Sequence, residues 1–153
     1  MRHAALDRGM SLHLLKLCVG ATGIDDLRGW VSQRSMAAIA AGLEPHTVHT
    51  TRMTPKRREE LLDGGSLYWV ISGQIRARQA LLDITNHTDG EGIQRCDLVL
   101  APQVVDTVPV PRKPFQGWRY LKPEDAPRDL DFGDGGDEMP DELRAELAEL
   151  GLL

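Results

Sequence analysis

Only two cysteines occur, Cys18 and Cys96, and they stand far apart. Such scarcity rules out a disulfide framework and points to a reducing, cytoplasmic setting. No stretch approaches the roughly 18 consecutive apolar residues of a membrane-spanning helix. Residues 12–19 are too short for a signal-peptide core, being interrupted by His13 and Lys16 and followed by no small-residue cleavage pattern. Also missing are a Walker loop, a dinucleotide fingerprint, a Gly-x-Ser-x-Gly elbow, a His-Glu-x-x-His pair and a Cys-x-x-Cys pair. No cofactor is therefore expected. No metal is expected either: His46 and His49, three residues apart on a strand, point to opposite faces and have no third ligand nearby. Ser66 has no assignable base, and Cys96, in mid-strand, reads as an inert buried thiol.

What is present divides unevenly by charge. Residues 10–127 hold 14 Lys/Arg against 13 Asp/Glu, whereas residues 128–153 hold 2 against 9. The body is nearly neutral and the acidity belongs to the tail. Residues 1–9 read as a disordered extension, 10–127 as one domain, 128–138 as an acidic linker, and 139–153 as an amphipathic helix. That helix carries Leu143, Leu147 and Leu150 on one stripe, which docks on its own body or recruits a protein partner.

Within the body, residues 11–19 are a short apolar strand. From Ile24 the spacing turns helical, with Ile24, Leu27, Trp30, Val31, Ala38 and Ile39 near one face and Gly42 closing the helix. Residues 46–53 form a second strand. The stretch 54–84 then reads as a short helix, a stop at Asp63-Gly64-Gly65, and two strands joined by a tight turn. Thr54 is placed as the helix N-cap with Pro55 in the first turn. Lys56, Arg57 and Arg58 follow, where the helix dipole disfavours cations unless an anion is bound.

The second of those strands, 74–84, lacks one clean apolar face, so either both faces are covered or a bulge flips the register. Arg76 and Arg78 on it suit a phosphate or carboxylate, or equally an internal partner such as Asp83 or Asp97. A turn at 86–92 leads to a hairpin partner at 93–100, and 104–110 is an edge strand because of Pro109. In 111–123, Phe115, Trp118 and Tyr120 interleave with Arg112, Lys113, Arg119 and Lys122. Aromatic faces flanked by cations suit a single-stranded nucleic acid, although Trp118 and Tyr120 on one strand face equally suit the core.

The segments Met10-Ser-Leu-His-Leu-Leu-Lys-Leu-Cys-Val-Gly20, Thr51-Arg-Met-Thr-Pro-Lys-Arg-Arg58, Leu61-Leu-Asp-Gly-Gly-Ser-Leu-Tyr-Trp-Val-Ile71, Arg78-Gln79 and Phe115-Gln-Gly-Trp-Arg-Tyr-Leu-Lys-Pro123 carry a resemblance. By them the chain resembles an alphaproteobacterial family, the domain of unknown function 1489. The resemblance covers most of residues 10–153 and implies no activity. The order of elements also looks like the PUA-like folds, small barrels that often bind RNA. That likeness is one of topology alone.

The expectation is an α+β fold with a mixed, mostly antiparallel, barrel-like sheet, two helices and a C-terminal helix. The expected function is a non-catalytic RNA-binding module. Its anion contacts would be Thr54, Lys56, Arg57, Arg58, Arg76, Arg78, Arg112 and Arg119, with Trp118 and Tyr120 for stacking. Two alternatives stay open: an enzyme acting on a phosphorylated or nucleotide-like small molecule, and an adaptor working through the C-terminal helix.

Overall fold

An apolar run without alternation, Leu-Tyr-Trp-Val-Ile, makes the segment Ser66–Ile71 a strand buried at all six positions. Both of its faces must therefore be covered. In the computed structural model, which describes residues 11–130, this segment is β3. The elements are, in chain order, β1 (His13–Leu17), α1 (Ile24–Ala40), β2 (Thr47–Thr51), α2 (Arg58–Leu62), β3, β4 (Gln74–Thr88), β5 (Gln94–Leu100), β6 (Val105–Pro111) and β7 (Trp118–Leu121). A single 3₁₀ turn at Pro123–Asp125 follows. The disordered extension expected at 1–9, the linker beyond residue 130, and the C-terminal helix with Leu143, Leu147 and Leu150 lie outside the described residues.

The fold is α+β. Seven strands form one mixed sheet in the order β2-β5-β4-β3-β1-β7, with β6 added to β4. The β1–β3 pair is parallel and the other ladders are antiparallel. The sheet is not closed into a barrel: β2 and β7, its two ends, share no ladder among the described residues.

Strand β4 organises the rest, because its 15 residues serve β3 and β6 early and β5 later. It does so by breaking register twice. Trp69 faces Ala77 but Val70 faces Ile75, so Arg76 is an extra residue; Leu81 faces Leu100 but Asp83 faces Val99, so Leu82 is another. These bulges explain the missing apolar alternation. Ile75 joins the core on one face with Leu15, Tyr68, Val70 and Leu121. Ala77, Leu81 and Ile84 join the larger core on the other face. The extra Leu82 is left 52% exposed. The β3–β4 turn is Ser72-Gly73, both at positive φ (50° and 82°), which matches the twist of a two-residue hairpin.

Helix α1 packs Ile24, Leu27 and Val31 onto the larger core, and Ser35 and Ala38 further along it are buried as well. Ile39, expected on that face, is 55% exposed. At 100° per residue it lies roughly 80° from Val31 around the axis, whereas Ala38 lies roughly 20° away, so Ser35 and Ala38 continue the stripe instead. Helix α2 also departs from expectation. It begins at Arg58 with Arg57 at its N-cap, three residues later than a Thr54 cap would place it.

Candidate nucleic-acid interface

Several of the expected anion contacts hold the protein together instead. Thr54 caps nothing: its hydroxyl donates to Asn86 Oδ1 at 2.7 Å. Arg58 donates through Nε to the carbonyl of Ile84 at 2.9 Å and pairs with Asp83 at 2.5 Å. The five-residue α2 therefore offers no phosphate cradle at its start.

Arg78 is still more committed. Buried on β4, it makes two 2.7 Å bonds to the Asp129 carboxylate and a third, at 3.0 Å, to the Ser66 hydroxyl. The hydrogen bonds to Asp129, and then its charge, raise the pKa of Arg78 against the opposing effect of burial. Neither Asp83 nor Asp97 is the partner. Asp129 arrives because residues 128–130 strap onto β6, through a Thr107–Asp129 bridge and the bond from Val108 N–H to the Arg128 carbonyl. Arg76, on the first bulge, stays half-buried with no ion pair among the described residues.

What the structure does bring together lies at the seam between β2 and β7. The chain leaves β2 through Arg52 and Met53 and reaches α2 by way of Lys56 and Arg57. This loop is pinned to β7 by two side chains. Trp118 Nε1 donates to the Met53 carbonyl at 2.8 Å, and the Tyr120 hydroxyl accepts the amides of Lys56 and Arg57 at 2.9 and 3.3 Å. The two rings meet edge to face with centroids 4.9 Å apart. Both are half-buried against the larger core, so the core reading of this pair and the interface reading describe the same residues.

On the other face, Phe115, half-buried against the smaller core, carries two guanidinium groups. Arg119 lies 5.0 Å and Arg112 5.5 Å from its ring centroid. Arg119 also donates to the carbonyls of Gln116 and Trp118, which fixes its direction. Arg57 lies 5.6 Å from the Tyr120 ring and pairs with Glu60.

Alongside the seam runs a groove of 960 Å³ whose lining includes Lys16, Arg52, Met53, Ile93, Trp118 and Arg119. Three cations face it, and no carboxylate is among its described lining residues. A 470 Å³ cavity beside Arg57 and Lys122 differs: Glu60 and Asp63 face it as well. Lys16 comes from β1 opposite Trp118 and Trp69. Its partial burial lowers its pKa.

Sequence reasoning missed Lys16, Arg52 and Asp129. A signal for Lys16 existed, since Leu14, Lys16 and Cys18 alternate onto the inward face of an otherwise apolar strand. Asp129 sits in the acidic tail and gave none. Among the described residues no helix is long and apolar enough to cross a membrane, and no group of three or more His, Cys, Asp or Glu is placed to hold a metal ion.

No curated protein and no solved structure matches the chain. A family model does, over residues 14–153, which includes β7 and the groove-lining stretches 50–53 and 116–119. With more than half of its length matched, the chain belongs to the family described as "Protein of unknown function (DUF1489)".

Proposed function

We propose that this protein is a non-catalytic module that binds single-stranded RNA in the groove along the β2–β7 seam. The observation that carries this reading is the groove's chemistry: Lys16, Arg52 and Arg119 face it without a carboxylate in the described lining, and Trp118, Met53 and Ile93 supply apolar surface. Unstacked bases need apolar or aromatic platforms, and the phosphates between them need cations. A duplex would present only its backbone to such a trough. Gln94, Gln116 and Thr50, also in the lining, supply donors and acceptors for base edges and 2′-hydroxyls. Arg112 and Arg119, mounted on Phe115, extend the positive rim beyond the groove.

The alternative of an enzyme gripping a phosphorylated small molecule with Arg76 and Arg78 is less well supported, because Arg78 already binds Asp129. The adaptor alternative concerns residues outside the described ones.

The test is binding of a fluorescent single-stranded RNA by anisotropy across a salt series. With about three phosphate contacts, log K should fall against log salt with a slope of about −2, from roughly −0.7 per contact. Arg52→Glu and Arg119→Glu should each weaken binding and make the slope shallower by about one contact's worth. An affinity unchanged by salt, or by both substitutions, overturns the proposal.

A further inference from the structure

Between α1 and β2 lies a second, smaller cavity of 100 Å³, with Cys18, Arg34, His49 and Trp69 in its lining. Its size suits about three waters or a small oxyanion. His49 enters from β2 with its ring edge-on to Trp69, centroids 5.2 Å apart. Its Nε2 is buried with no hydrogen-bond partner among the described residues, a position in which a nitrogen ordinarily has one.

Arg34 lines the cavity from α1, while the charge of Lys16, which lines the groove along the seam instead, reaches it from β1. Neither forms an ion pair among the described residues. Burial first, then the charges of Lys16 and Arg34, hold His49 down to about 4. The same two cations act on Cys18, together with Asp26 of α1, and burial pushes that thiol up to about 11. The cavity is thus lined largely by apolar side chains, among them Leu27, Val31, Val48 and Leu100, with a neutral imidazole, an inert thiol and the Arg34 guanidinium set into that wall.

We propose that this cavity is a binding site for a small oxyanion of the phosphate class, held by Arg34 and His49. An anion there pairs with Arg34 and gives Nε2 an acceptor for its N–H. By linkage it also makes protonation of His49 easier. Arg34 and His49 do not line the groove along the seam, so this inference stands apart from the RNA reading.

The experiment follows the imidazole signal of His49 in the full chain by NMR, assigned by its loss in His49→Gln. Inorganic phosphate is titrated at fixed pH, with chloride at matched ionic strength as the control. A saturable shift with phosphate and none with chloride is expected. Arg34→Gln, a change at an exposed position, should weaken the phosphate response about tenfold or more, the effect of one charge-assisted hydrogen bond. A non-saturating response, an equal response to chloride, or an Arg34→Gln protein that responds like wild type overturns the site. A further arm uses an RNA oligonucleotide without terminal phosphates. If it moves the His49 signal and inorganic phosphate does not, the cavity is an extension of the groove and the separate site is overturned. If phosphate saturates while RNA fails to bind at all, the groove reading falls and this one stands.

Discussion

Gly65 has no room for a side chain. A Cβ placed there would lie 2.2 Å from the Leu61 carbonyl oxygen and 2.4 Å from that of Leu12. Both are backbone atoms, so relief requires the α2–β3 junction to move. Gly65→Ala should therefore destabilise by roughly 1–3 kcal/mol, seen as a lower urea midpoint with an unchanged slope. Gln79 is constrained differently. Fully buried, it accepts from Trp69 Nε1 at 3.0 Å and donates to the Ala101 carbonyl at 2.8 Å. Gln79→Ala leaves the Trp69 indole N–H without its acceptor in the core and removes the donor to Ala101 and Thr47. It should cost about 1–3 kcal/mol beyond the lost packing, measurable by the same unfolding experiment. From the sequence Gln79 was one place in a strand with poor alternation, singled out otherwise only as part of the Arg78-Gln79 pair that carries the family resemblance. The bulges at Arg76 and Leu82 that turn it inward leave no local mark beyond that lapse.

Among the elements, β4 and the strap at 128–130 depend on one another through Arg78 and Asp129. The side chains are 9% and 30% exposed. Removing one partner of a buried pair costs about 3–5 kcal/mol, and the exposure of Asp129 brings the expectation for Arg78→Ala to roughly 2–4 kcal/mol. A smaller cost for Asp129→Asn, which keeps the shape and one acceptor, would separate the charge from the packing. Histidines on β1 and β2 add a dependence on pH. His13 accepts the Ser66 amide at 3.0 Å, and burial, aided by Arg78, lowers it to about 4; burial, aided by Lys16 and Arg34, lowers His49 equally. Because the folded state binds these protons more weakly than the unfolded chain does, stability rises with pH in this window. It should be full above 6.5 and be lost progressively as pH falls through about 4. Urea midpoints that stay level over that interval would contradict it.

For the whole molecule, much of the architecture could be read in advance from local chemistry. The apolar runs placed β1 and β3, the helical spacing placed α1, and the turn at 86–92 placed the β4–β5 hairpin. The candidate site was legible only in part. Charge and aromatic content picked out Trp118 and Arg119, which line the groove, Arg57 and Tyr120, which pack together beside it, and Arg112, which shares the Phe115 ring with Arg119. They could not tell these from Arg58 and Arg78, which the fold neutralises with Asp83 and Asp129, 25 and 51 residues away in the chain. Pairing over such separations is decided by topology, and residue type does not record it. Lys16 and Arg52 were missed for the same reason, since what makes them notable is the groove they face.

The loop at 52–57 has one further implication. One phenol oxygen and one indole N–H fasten it to β7 where the edge strands fail to pair. That joint is the place for the molecule to breathe without unfolding. In Tyr120→Phe the amides of Lys56 and Arg57 lose their common acceptor. Their hydrogen exchange should quicken several-fold while β3 and its neighbours exchange as before, so that the width of the seam becomes adjustable independently of the core.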